Sequence, residues 1–316
     1  MNRKSIILCL AILAVMILGV GIAVAVLYSG DGNERARNEG KVPDQERYLL
    51  LPAVPADAVV VACFSDTEEA VGGILSGFSF PSALADTISK GGFKSMTSSA
   101  LTVSLHYNGD LQSLYIFDAG KSSGEPSADA LSLIDYAKNR NMSAEYVDCG
   151  LITDIGRDIS TRSLVLLSES ETLVRSSVRH LEKSISVMDA DGFAEAAGIM
   201  SGHDLIFFSN SHAKMLMNDI FTRKYAAHHP FVASIAKWTV VDLARSDVSG
   251  LYATASAVFE EDPSEFMTVL SKSEPSVSKV ADVLPSYTVS AISFPMKDIE
   301  PYVAAYQGYM DSKQSL

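Results

Sequence analysis

The N-terminal part of the chain contains one long apolar run, and this run restricts the possible structures more than any other feature. From Ile6 to Tyr28 there are 23 residues without a charged or strongly polar side chain. At about 1.5 Å of rise per residue, a helix of this length spans a hydrocarbon core of roughly 30 Å. The sequence therefore predicts a transmembrane helix at 6–28, preceded by a short tail at 1–5.

Two basic residues fix the predicted orientation of this helix. Arg3 and Lys4 lie directly before the apolar run, and basic residues tend to remain on the cytoplasmic side of a membrane. Tyr28 would then lie at the opposite interface, where amphipathic aromatic side chains are favoured. We therefore expect a single-pass protein of the inner (cytoplasmic) membrane, with a cytoplasmic N-terminus and an extracytoplasmic C-terminal domain.

A cleaved signal peptide is the alternative interpretation of the same run. Ala23 and Ala25 form the A-x-A pattern of a cleavage site. A signal peptide usually has an apolar region of only about 7–15 residues, however, and here Val26 and Leu27 continue the run beyond the alanines. An uncleaved anchor is therefore the favoured interpretation. A lipid-modified cysteine does not fit, because Cys9 lies near the start of the run.

The segment after the anchor is polar, and the remainder of the chain is acidic. Residues 29–47 are rich in Gly and mixed charges without an apolar period, which predicts a flexible linker. Residues 1–28 contain no acid, so the part beyond residue 28 has 23 basic and 38 acidic residues, a net charge of −15. Such a surface repels phosphate backbones, so nucleic acid is excluded as a partner, and it also disfavours adsorption to anionic lipid.

Residues 48–282 carry the pattern of an extracytoplasmic α+β domain. The apolar, β-branched run at 58–64 predicts a buried strand. Alternating residues at 101–107 and 111–118 flank Asn108-Gly109-Asp110, which is typical of a hairpin because Asn and Gly tolerate positive φ. Strands and helices alternate without a strict βαβ order. The chain therefore predicts a mainly antiparallel sheet with packed helices.

The remaining elements follow from the spacing of apolar residues and from capping residues. Helices are predicted at 66–75, 82–89, 126–141, 168–184, 191–200, 214–225 and 262–270. Further strands are predicted at 144–149, 163–167, 204–208, 238–243 and 250–259.

The end of the domain repeats the order of elements at its start. A Leu-Pro pair at 51–52 precedes the first strand and helix, and another at 284–285 precedes an apolar strand at 287–294 and a helix from Asp298. This order predicts a second, incomplete repeat unit at 283–316. The alternative is a chance recurrence, because the match covers only two elements.

Two segments of the sequence resemble those of a known protein family. They are LPAVPADAVVVACF at 51–64 and DADGFAEAAGIMSGHDLIFFSN at 189–210. Together with the anchor, they are similar to a family of uncharacterised bacterial envelope proteins, a domain of unknown function. Those proteins have one N-terminal transmembrane span and repeated Leu-Pro-Ala-Asp strand-helix modules. The resemblance implies a location in the envelope and a modular shape, and it implies no reaction.

The sequence contains no motif that predicts catalytic, cofactor-binding or metal-binding residues. G-x-S-x-G, Walker A, G-x-G-x-x-G and H-E-x-x-H patterns are absent from the sequence. The adjacent His228 and His229 point in different directions on any regular element, so they are poorly placed to share a metal ion. Asp189 and Asp191 resemble part of a calcium loop, but we expect a turn in which Asp191 caps the following helix.

Cys63 and Cys149 are the cysteines beyond the anchor, and both fall at the ends of predicted strands. In an oxidising compartment they have one possible pairing, so the sequence allows a Cys63–Cys149 disulfide. Two buried thiols are the alternative, since sequence gives no evidence that the two residues are close.

These observations favour a membrane-anchored extracytoplasmic binding or scaffold module with an envelope protein as its partner. The alternative is an extracytoplasmic hydrolase or lipid-handling enzyme whose site is assembled from distant residues. A pocket with a Ser-His-acid arrangement would favour the enzyme. An exposed apolar patch would favour the binding module.

Overall fold

The computed structural model describes residues 50–314 except for 73–74, 76–80, 98, 123, 149–152, 156–157, 161, 200–203, 221, 228, 247–249, 278–279, 281–282 and 286–294. Among the residues that it describes, no helix has the length and apolar character needed to cross a membrane. The predicted transmembrane helix at 6–28, the linker at 29–47 and the predicted strand at 287–294 lie outside the described residues.

One antiparallel sheet of eight strands organises the described part of the chain. Its strand order is β10-β9-β8-β1-β2-β3-β7-β4, and β5 and β6 form a separate pair. The strands are β1 (Val60–Phe64), β2 (Leu101–Tyr107), β3 (Leu111–Lys121), β4 (Ser143–Val147), β5 (Thr153–Ile155), β6 (Asp158–Ser160), β7 (Arg162–Ser168), β8 (Asp204–Ser209), β9 (Trp238–Ser246) and β10 (Gly250–Val258). The prediction of an α+β fold with a mainly antiparallel sheet is confirmed.

Helices cover both faces of this sheet. They are α1 (Thr67–Gly72), α2 (Ser82–Ser89), α3 (Lys94–Thr97), α4 (Ala128–Lys138), α5 (Glu171–Lys183), α6 (Phe193–Ala197), α7 (Ala213–Ile220), α8 (Arg223–Ala226), α9 (His229–Ala233), α10 (Phe266–Ser271) and α11 (Glu300–Gln314). Ser127 and Ser170 cap α4 and α5 through their hydroxyl groups, as expected for serine at this position. The predicted helix at 214–225 is divided into α7 and α8.

Two predicted helix starts are wrong, for local reasons. The backbone N–H of Ser264 donates to Asp262 Oδ1 at 2.7 Å, so Asp262-Pro263-Ser264 forms a turn, and α10 begins only at Phe266. Gly192, and not Asp191, precedes α6, with a φ of 74° that favours glycine. Asp191 instead accepts a hydrogen bond from Trp238 Nε1 through its carbonyl oxygen at 2.9 Å.

Strand β1 lies at the centre of the sheet and is buried on both faces. Val60, Ala62 and Phe64 pack into the core beneath α1–α4, α7 and α9, whereas Val61 and Cys63 pack into the core beneath α5 and α6. This explains why the strand has a continuous apolar sequence, since neither face meets water. Antiparallel pairs with β2 and β8 hold its two edges.

The sheet contains two similar halves that meet at β1 and β8. One half runs β1, α1–α3, β2, β3, α4, and the other runs β8, α7–α9, β9, β10, α10. In each half the helices after the first strand contribute to the same core, for example through Leu84 and Leu216. This repetition is distinct from the predicted incomplete unit at 283–316, which stays a prediction because its strand is not among the described residues.

A buried ion pair lies where β3 is irregular. The register of β3 with β7 shifts between Asp118 and Lys121, and the side chains of Asp118 and Arg162 are only 3% and 14% exposed. Arg162 Nε is 3.1 Å from each carboxylate oxygen of Asp118, and its Nη2 also donates to Oδ2. This bidentate ion pair offsets the free-energy cost of removing both charged groups from water.

We expect Arg162→Ala to lower the free energy of unfolding by about 3–5 kcal/mol, because it leaves the Asp118 carboxylate buried without its countercharge. Equilibrium urea unfolding measures this loss. Arg175→Ala is the control, since its ion pair with Glu171 is exposed and contributes less than about 1 kcal/mol. Equal losses in the two variants would contradict a special role for the buried pair.

Candidate functional sites

Only one cysteine of the predicted disulfide lies among the described residues. Cys63 is buried in β1, and Cys149, which follows β4, lies outside the described residues. Strands β2, β3 and β7 lie between β1 and β4, so the two strands are about 19 Å apart across the sheet. Bonded cysteines have Cα atoms within about 7 Å. Cys149 itself is not among the described residues, so the pairing stays a prediction.

Three polar side chains form a hydrogen-bonded chain that sequence reasoning missed. Ser104 and His106 lie two residues apart on β2 and therefore point to the same face of the sheet. Ser104 Oγ is 2.9 Å from His106 Nε2, and His106 Nδ1 is 3.0 Å from Asp57 Oδ1. No motif indicates this contact, because Asp57 comes from the turn before β1.

The order of these atoms is that of a Ser-His-Asp catalytic triad. With the ring proton on Nδ1, His106 donates to Asp57 and accepts a hydrogen bond from the Ser104 hydroxyl. A nucleophile must also contact a substrate, however, and Ser104 is 0% exposed. Its neighbours across the sheet are Val61 on β1 and Leu114 on β3. The hydroxyl is therefore enclosed in the domain interior in this conformation.

The hydrogen-bonded chain connects the turn before β1 to the sheet. The Asp57 carboxylate is largely exposed, whereas the His106 ring is buried. The hydrogen bond from His106 lowers the pKa of Asp57, and the charges of His106 and His180 act in the same direction. The contact therefore stabilises the fold when Asp57 is ionised.

We expect Asp57→Asn to lower the melting temperature at pH 6–7, because the variant lacks the carboxylate that His106 binds. The folded pKa of Asp57 lies below its usual value of 3.8, so this stabilisation is present above about pH 4 and is lost as the pH falls through the folded pKa. Thermal unfolding between pH 2.5 and 7 should show the two proteins converging in acid.

Asp86→Asn is the control for this comparison, because Asp86 is an exposed carboxylate on α2. We expect it to change the melting temperature little at any pH. A difference between Asp57→Asn and the parent protein that stays constant down to pH 2.5 would contradict an electrostatic contribution from Asp57.

A second candidate site is an open groove between α11 and the helices α9 and α10. Its volume is about 710 Å³. Tyr309 holds α11 in place, because its side chain is 5% exposed and its hydroxyl is 2.7 Å from Ser234 Oγ. The groove is lined by Pro230, Phe231, Phe266, Tyr302, Tyr306, Tyr309, Met310 and Lys313.

Five aromatic rings form a continuous series along this groove. Neighbouring ring centroids are 5.5 Å (Phe231–Phe266), 5.7 Å (Phe266–Tyr309), 6.2 Å (Tyr309–Tyr306) and 6.0 Å (Tyr306–Tyr302) apart. These distances are typical of favourable edge-to-face and stacked contacts. The series therefore gives the groove a preformed aromatic wall.

The face of α11 that carries these tyrosines also exposes large apolar side chains. Ile299, just before the helix, is 65% exposed, Val303 is 51% exposed, and Tyr306 and Met310 are 40% and 38% exposed. Their spacing of three, four and seven residues places them on one side of the helix. Together with Phe231, which is 46% exposed, they form one apolar surface around the groove.

Charged residues lie at one end of the groove. The ammonium group of Lys313 is 5.3 Å from the centre of the Tyr309 ring. The backbone N–H and the hydroxyl of Ser264 lower the pKa of Asp262, and the charge of Lys313 contributes to this effect. Glu265, the residue before Phe266, has its pKa raised by burial. The charged side chain that lines this end of the groove is therefore a cation packed against an aromatic face.

Metal binding finds no support in the described part of the chain, where no three His, Cys, Asp or Glu side chains converge as ligands. His229 begins α9, whereas His228 lies outside the described residues. Comparison with protein-family models, with curated proteins and with solved structures gives no match for this chain. The resemblance to bacterial envelope proteins therefore stays a prediction.

Proposed function

We propose that this chain is a membrane-anchored, extracytoplasmic binding module that holds an envelope protein in the groove beside α11. The observation that carries the proposal is the exposed apolar surface around that groove. Large apolar patches on a soluble surface are uncommon unless they bind something. The apolar run at 6–28 supports the anchored location.

The composition of the groove fits a protein-binding surface. Aromatic residues and methionine are enriched in the centres of protein interfaces, and tyrosine provides a large contact area at a low cost in side-chain entropy. Here Tyr302, Tyr306 and Met310 lie on a helix that Tyr309 fixes to the domain. The anchoring groups are therefore positioned before a partner arrives, which reduces the entropic cost of binding.

Site-specific photocrosslinking in cells tests this proposal. A benzophenone amino acid at Tyr306 or Met310 of the full-length chain should form an adduct with the same envelope protein at both positions. Ala304 is exposed and lies about 160° around α11 from both Tyr302 and Tyr306, so it is the matched control and we expect no such adduct from it. The adduct should remain in the membrane fraction, and deletion of residues 6–28 should release it.

Absence of an adduct at both groove positions would contradict a binding role for this surface. Equal adducts from Ala304 would show contact without selectivity. Recovery of the deletion variant with the membranes would contradict the anchor independently of the groove.

A hydrolase is the second candidate, and the Ser104–His106–Asp57 order of atoms is the observation that favours it. Catalysis would require the segment at 50–57 to move, because Leu50, Leu51 and Val54 are 0–1% exposed and cover that face of the sheet. A fluorophosphonate probe labels activated serines. We expect no labelling of the full-length protein, because Ser104 is enclosed. Labelling that disappears in both Ser104→Ala and His106→Ala would establish the hydrolase instead.

A further inference from the structure

We infer that the groove beside α11 takes an extended, proline-containing peptide that carries a basic residue. This inference rests on the proposed binding function and specifies the chemistry of the partner.

The shape favours a narrow, extended ligand. From Tyr302 to Lys313 the lining residues of α11 extend over about 17 Å, which is the length of five or six residues in the polyproline II conformation. The rings lie next to one another at 5.5–6.2 Å, so their edges and faces form shallow ridges. Aromatic ridges of this kind are the surface on which proline rings pack in known peptide-binding grooves.

The donors of the groove match the needs of a polyproline II backbone. This conformation has no internal hydrogen bonds, so its carbonyl groups require external donors. The hydroxyl groups of Tyr302 and Tyr306 and the ammonium group of Lys313 line the groove. Within the described residues, neither of these two hydroxyl groups makes a hydrogen bond, unlike that of Tyr309, which contacts Ser234. They remain available to the backbone of a bound peptide.

The aromatic faces and the net charge favour a basic residue in the peptide. The Lys313 ammonium is 5.3 Å from the centre of the Tyr309 ring, so the groove already accommodates a cation against one of its aromatic faces. An arginine or lysine of a ligand can pack on the other rings of the groove in the same way, and the acidic chain attracts it over a longer range.

Other occupants fit less well. The net charge of −15 beyond residue 28 opposes contact with anionic lipid. A second copy of the chain would bring a like charge, and the exposed strip of α11 measures only about 22 Å by 10 Å. A stable dimer buries about 800 Å² on each partner. A short peptide needs no more surface than the groove provides.

Fluorescence anisotropy with the full-length chain in lipid nanodiscs tests the inference. The probe is a fluorescein-labelled peptide of eight prolines followed by two arginines. We expect a dissociation constant of about 10–100 μM, and roughly tenfold weaker binding by Tyr306→Ala and by Tyr302→Ala. Ala304→Ser is the matched control on the opposite side of α11 and should leave the affinity unchanged. Peptides with eight glycines, or with two serines in place of the arginines, should bind at least about fivefold more weakly.

Several results would overturn the inference. No binding at 1 mM peptide, equal binding of the proline and glycine peptides, or affinity unaffected by either tyrosine substitution would each be sufficient. Concentration-dependent dimerisation that Tyr306→Ala abolishes would assign the surface to a second copy instead. If photocrosslinks from Tyr306 persist while the peptide fails to bind, the binding function stands and only the ligand class is wrong. If both fail, the binding function is wrong as well.

Discussion

The antiparallel pairing of β1 with β8 is the contact on which the rest of the fold depends. It joins the two similar halves of the chain into one sheet, with Val60 opposite Phe208 and Cys63 opposite Leu205. Both strands are apolar on both faces, so they require a layer of helices above and below. The other strands extend outward from this pair, and the groove beside α11 lies at the end of the half that β8 begins.

Sequence reasoning succeeded where a short stretch of chain determines its own conformation. Gly109 adopts a φ of 84° in the predicted hairpin turn, and the Ser127 hydroxyl caps the predicted helix. It failed where distant contacts decide the outcome. The Asp57–His106 contact joins residues 49 positions apart, and the packing of Tyr309 against Ser234 joins residues 75 positions apart. Spacing in a single sequence carries no record of such contacts, so both candidate sites were visible only in the structure.

The two candidate sites reverse the usual distribution of polar and apolar side chains. Ser104 and His106 are polar residues inside the domain, and they are tolerated because each ring nitrogen of His106 has a hydrogen-bond partner. Tyr306, Val303 and Met310 are apolar or aromatic residues on the outside, and they remain 38–51% exposed even though Tyr306 contacts two neighbouring tyrosine rings. The first arrangement is complete without a ligand. The second gains free energy when a partner covers it, and for this reason we assign the function to the surface and not to the interior.

The central pairing also has a consequence for how the polypeptide acquires its structure. Val60 meets its partner Phe208 only after 148 further residues have been added to the chain. Until then, β1 can pair with β2 alone, and its other edge presents unpaired backbone groups flanked by apolar side chains. Such an edge is a template for pairing with other chains, and contacts so distant in sequence form slowly because a long loop must close first. Until β8 has been synthesised, this open edge of β1 is therefore the part of the sheet at which pairing with another chain can start.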